Sequence, residues 1–139
     1  MSLAEPLRFW GYNFVFERVL PDDANIAAWW IQGKDGKWRS SEVTHTVFYF
    51  GEHSIYCYKR TLSLVSSASK HETEEYFYRD IVSVKTETTR IPNADRFINV
   101  NMFVLTNSGG EKLACVTDKP QEAEVAVKAV RTLLKQKKF

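Results

Sequence analysis

Apolar and polar residues alternate along much of the chain with a period of two, the pattern of strands that bury one face. Thr46-Val47-Phe48-Tyr49-Phe50 and Ile55-Tyr56-Cys57-Tyr58 are dense in residues that suit a sheet, and Gly51-Glu52-His53 turns the chain between them. Upstream, Ala27 to Gln32 predicts a short strand, and Gly33-Lys34-Asp35-Gly36-Lys37 predicts a hairpin because Asp-Gly suits tight turns. Trp38 then resumes extended chain. Ser66 to Lys70 is small and polar and predicts a loop. Tyr76-Phe77-Tyr78 and Ile81-Val82-Ser83-Val84 predict two more strands about a corner at Arg79-Asp80, with Ile91-Pro92-Asn93-Ala94-Asp95 as a further loop. From Phe97 to Thr106, Ile98, Val100, Met102 and Val104 share one face with Asn99 and Asn101 opposite, the cleanest half-buried strand in the chain. Asn107-Ser108-Gly109-Gly110 turns it into a partner over Lys112 to Thr117.

Beyond Thr117 the period lengthens to that of a helix. Ala123, Val127, Val130 and Leu134, with Ala126 and Leu133, form an apolar stripe, Pro120 suits the first turn, and Asp118 is placed to cap it. Arg131, Lys135, Lys137 and Lys138 gather at the C-terminal end, where the helix dipole favours cations. The first segment reads two ways: Trp10, Tyr12, Phe14 and Phe16 alternate as in a strand, whereas Leu3, Leu7, Trp10 and Phe14 fit a helical face. Gly11 and the aromatic content favour strand. The predicted fold is mainly β with one helix (β+α): an antiparallel curled sheet or partly open barrel of six to seven strands, capped by the C-terminal helix. Residues 1–25 are expected to be an N-terminal extension packing on a domain that spans 26–139.

Val47-Phe48-Tyr49-Phe50, Ser54-Ile55-Tyr56, Tyr76-Phe77-Tyr78-Arg79-Asp80-Ile81-Val82-Ser83-Val84, Phe103-Val104-Leu105-Thr106 and the helix from Pro120 to Lys138 together resemble the pleckstrin-homology superfold, including its bacterial and GRAM-type members. The closest phrase is Tyr78-x-Asp80-Ile81-Val82-Ser83-Val84. The helix lacks the Trp typical of eukaryotic members, so the likeness is to bacterial-type or more distant relatives. The resemblance implies a binding module. Phosphoinositide-binding members carry basic residues in the first hairpin, and Lys34, Lys37 and Arg39 stand at a hairpin of matching order. Three convergent cations with an Arg fork suit a phosphate ester.

Composition narrows the partners. At 139 residues, with 44% hydrophobic and 26% charged, the chain fits one globular domain. A formal net charge of +2 supplies no concentrated basic face, so no nucleic-acid partner is expected and only local patches matter. Cys57 and Cys115 make no disulfide framework and read as buried thiols. Met1 to Pro6 lacks a basic region followed by an apolar run, and no stretch approaches the ~20 apolar residues of a membrane span, so the expected compartment is the cytoplasm.

No reactive constellation emerges. His45, His53 and His71 lack metal-ligand spacing, so neither a metal nor another cofactor is expected. Glu72-Thr73-Glu74-Glu75 with Asp80 reads as a charged loop-to-strand junction, and Ser66, Ser67 and Ser69 near His71 lack a nucleophile elbow. Adjacent Trp29 and Trp30 on a strand face opposite sides, so with Trp38 they are candidates for a partner surface, unless the N-terminal segment covers one of them. Tyr56 and Tyr58 against Ile55 and Cys57 likewise give a strand apolar on both faces. The expected function is a non-enzymatic module for protein–protein interaction or self-association. The alternatives are binding of an anionic membrane lipid through Lys34, Lys37 and Arg39, and a small β-barrel holding an apolar ligand.

Overall fold

The computed structural model describes residues 5–14, 29–93 and 96–138. Among them the chain forms β1 (Leu7–Asn13), β2 (Trp30–Gln32), β3 (Trp38–Ser40), β4 (Glu42–Phe50), β5 (Ser54–Ser63), β6 (Ser69–Phe77), β7 (Ile81–Asn93), β8 (Arg96–Asn107), β9 (Lys112–Thr117) and α1 (Pro120–Lys138), with a 3-10 turn at Tyr78–Asp80. All strand pairings are antiparallel. Four strands run in the order β1-β4-β5-β6 and three in the order β7-β8-β9, while β2 and β3 form a separate hairpin.

The larger sheets meet where β1 lies along β9. The Asp118 amide donates to Trp10 O at 3.0 Å. At Gly11 a Cβ would stand 3.0 Å from Val116 Cγ2 and 3.1 Å from Thr117 N, closer than side-chain carbons ordinarily sit, so glycine lets the strands approach without pushing these neighbours back. The Tyr78–Asp80 turn carries the chain from β6 to β7 at the other margin, where those two strands do not pair. The result is a curled, open pair of sheets capped by a helix. Leu7–Asn13 takes the strand alternative and pairs with β4 along its whole length. Residues 15–28 lie outside the described residues, among them the first two positions of the strand expected from Ala27 to Gln32, of which Trp30–Gln32 forms β2.

Phe9, Phe48 and Phe103 fill the space between the sheets, with ring centroids 5.2 to 6.1 Å apart. Burying an aromatic ring of this size contributes roughly 2–3 kcal/mol before packing terms. The stripe of α1 closes the adjoining end: Ala123, Ala126, Val127 and Val130 are buried in one cluster with Ile55, Tyr78, Ile81 and Leu105. Leu133 and Leu134 pack at its margin.

Several elements differ from the sequence reading. β6 begins at Ser69, so Glu72-Thr73-Glu74-Glu75 is strand, its pairing with β5 supplied by tertiary context. β7 runs on through Thr86 to Asn93, taking in the start of the expected loop, because β8 pairs with it as far as Asn93–Arg96. On β8 the core face is that of Phe103 and Leu105, which Asn99 and Asn101 share by alternation. Ile98 and Val104 on the other face are buried too. At the head of α1 the Thr117 hydroxyl accepts the Lys119 amide at 3.1 Å, and the Asp118 carboxylate makes no capping bond. Cys57 and Cys115 are free and buried. No described helix is long and apolar enough to cross a membrane.

Candidate functional site

The β2–β3 hairpin is built around Asp35. Gly36 N–H donates to Gly33 O at 3.0 Å, and Gly36 takes φ +83°, the left-handed conformation that the Asp-Gly turn needs. Asp35 accepts the Lys37 amide at 3.1 Å and the Arg39 guanidinium through both oxygens, at 3.2 and 2.9 Å. The Arg39 hydrogen bond, aided by the Lys37 amide, pulls the Asp35 carboxyl down to about 2. The hairpin therefore carries Lys34, Lys37 and Arg39 within one short turn, with the Arg fork already gripping a carboxylate. Lys34 and Lys37 are exposed.

Trp29 is exposed, while Trp30 packs edge-to-face on Phe14 at 5.5 Å and Trp38 is half-buried. The N-terminal segment thus covers one of the adjacent pair, through Phe14. On β5, Ile55 and Cys57 enter the core, and Tyr56 stands exposed beside its cross-strand partner Tyr49.

A groove of about 390 Å³ runs between β7 and α1. Ile81 to Val84 form one wall, and Arg131, Leu134 and Lys135 form the other. Val82 falls at a register shift between Ile81 and Ser83 and is 61% exposed. Arg131 Nη2 donates to Val84 O at 3.0 Å, so the helix already holds one main-chain carbonyl of the strand. The outer edge of β6 is different in kind, with exposed Lys70, Glu74 and Glu75 along it. Charged side chains of this kind protect a sheet edge from further pairing.

The interior changes character away from the helix. On the face that carries Phe48, β4 continues as Thr46, Thr44 and Glu42, all buried. Opposite them on β5 stand Lys59 against Thr46 and Thr61 against Thr44, with Glu72 and Lys70 next on β6. Asn13 Nδ2 donates to Thr44 Oγ1 at 2.6 Å, and the Thr44 and Thr61 hydroxyls bond each other at 3.1 Å. Lys59 Nζ crosses to the second sheet and donates to Ala114 O at 3.1 Å. Lys70 and Glu72 pair at 3.5 Å. Asn13, Thr44, Thr61, Lys59, Lys70 and Glu72 line a cavity of about 210 Å³, with Val116 of β9 as its apolar wall, and Thr46 and Glu42 lie outside that lining. Burial pushes the Glu42 carboxyl up to about 7.

Burial drives both thiols up to about 12, far from a nucleophilic thiolate. No three described His, Cys, Asp or Glu side chains converge as metal ligands do. Sequence reasoning found the hairpin and passed over the groove and the polar interior. The groove depends on how α1 crosses the end of β7. The interior lysine carried one usable signal, a charged residue on the Ile55-Cys57-Lys59-Thr61 face of a strand whose start is apolar.

Comparison of the chain with protein-family models, with curated proteins and with solved structures finds no match in any of the three.

Proposed function

We propose that this protein is a non-catalytic binding module, pleckstrin-homology-like in organisation, that takes up an extended segment of a partner protein along β7 in the groove beside α1. The likeness is supported by the four-stranded and three-stranded antiparallel sheets meeting at β1 and β9, with the terminal helix over one end. The observation that carries the binding reading is the groove itself, since β7 pairs with β8 alone among the described strands. A strand laid there gains main-chain hydrogen bonds, and Val82 and Leu134 offer apolar purchase for alternate side chains. Arg131 and Lys135 make the helix wall basic, so the partner segment is acidic as well as apolar. Free, buried thiols suit a reducing compartment, and we place the module in the cytoplasm.

Selection from a random 12-residue peptide library, followed by amide exchange on the complex, tests this. Enriched peptides should combine acidic and β-branched residues and slow exchange in β7. Val82→Asp and Arg131→Glu should each weaken them about tenfold or more. Peptides that protect another surface, or bind both variants as well as the parent, would sink the reading. Mass doubling with concentration in light scattering, abolished by Val82→Asp, would identify a second copy as the occupant instead.

A further inference from the structure

We propose that the polar end of the interior is a binding site for one small oxyanion, a carboxylate or phosphate group, held by Lys59, Lys70 and the threonine hydroxyls between the sheets. The inference is independent of the β7 groove. Polar side chains turned into a fold cost free energy unless something satisfies them. Thr44 and Thr61 are each 1% exposed, and they and Asn13 satisfy one another only in part.

Charge points the same way. Lys59 is half-buried as a residue and its ammonium bonds a neutral carbonyl, with no carboxylate among the described residues within 4.0 Å of it. A cation in a partly enclosed cavity without a counter-charge favours an anion. Lys70 has Glu72 at 3.5 Å, so the lining carries two ammoniums against one carboxylate. Glu42, one step further along the face, carries less than a full charge near neutral pH because burial raises it to about 7. An ammonium has three donors and no acceptor, and Lys59 spends one of them on Ala114 O. Donors are therefore in excess, and a fitting ligand brings acceptors and negative charge.

Size limits the choice. A cavity of about 210 Å³ equals roughly seven waters at ~30 Å³ each, room for an inorganic anion or a short acid. The site is also separate from Lys34, Lys37 and Arg39, which sit on the β2–β3 hairpin.

The test is calorimetric titration of the full chain with inorganic phosphate and, separately, with succinate. One saturable site is expected, and the anion that fills it distinguishes phosphate from carboxylate. Affinity should fall about tenfold in Lys59→Met, which keeps the aliphatic stem, and survive in Lys59→Arg. Lys70→Met changes an exposed side chain with little risk to folding and should also weaken binding, by about threefold or more. Lys34→Gln with Lys37→Gln should leave it unchanged. No saturable binding of either anion would overturn the proposal. So would affinity that persists in both Lys59→Met and Lys70→Met, or that disappears with the hairpin pair.

Discussion

Glu42 makes stability depend on pH in a direction opposite to most carboxylates. Its folded-state value of about 7 lies above the ordinary 4.5, so the native protein keeps a proton that the unfolded chain has released. Stability should therefore fall as pH rises from about 4.5 to about 7, then level off. Urea midpoints at pH 5 and pH 8 measure this. The parent should lose on the order of 1–3 kcal/mol between them that Glu42→Gln does not lose. Equal losses in both proteins would show that other groups set the slope. The thiols give a second expectation at this scale. Cys57 and Cys115, held near 12 by burial, should resist a thiol reagent at pH 8 and react together once urea unfolds the chain. Rapid labelling of either one in native buffer would contradict its burial.

Among the elements, the seam between β1 and β9 makes the fold one unit. Gly→Ala in a compatible strand stabilises by about 0.4–1 kcal/mol through the unfolded state. At Gly11 the added carbon meets Val116 Cγ2 at 3.0 Å and the Thr117 main-chain nitrogen at 3.1 Å, and that nitrogen belongs to the neighbouring strand. Strain should win. Gly11→Ala should cost about 1–3 kcal/mol and speed exchange of the Asp118 amide that bonds Trp10 O; unchanged stability would mean that the seam yields easily. Elements whose own residues dictate them were legible in the sequence: the Asp35-Gly36 hairpin, the β4–β5 pair and the stripe of α1. β6 was not, because Lys70 to Glu75 has the composition of a loop and becomes strand only through its register with β5. The core face of β8 escaped for a related reason. Its Val104 and Leu105 are both buried, so alternation names no inside. The basic hairpin was legible as a cluster, but the Asp35 grip on Arg39 depends on hairpin geometry that spacing does not give.

Across the whole molecule the interior runs from hydrocarbon to hydrogen bonds. Under α1 lie Ile55, Phe48 and Phe103, each 1% exposed, where opening would return large apolar areas to water. At the far end Thr44, Thr61 and Asn13 fill the same layer with groups that water satisfies almost as well, so opening there costs less. Strands β4 and β5 cross both regions, which makes them an internal comparison free of differences in sequence position or sheet edge. Amides around Phe48 and Cys57 should exchange only with global unfolding, and those around Thr44 and Thr61 at least about tenfold faster, through local opening worth about 1.4 kcal/mol less. Exchange measured residue by residue decides it. Uniform protection along both strands would show that the polar layer is as rigid as the aromatic one. A gradient would mark the polar end as the part of the fold free to adjust around what it holds.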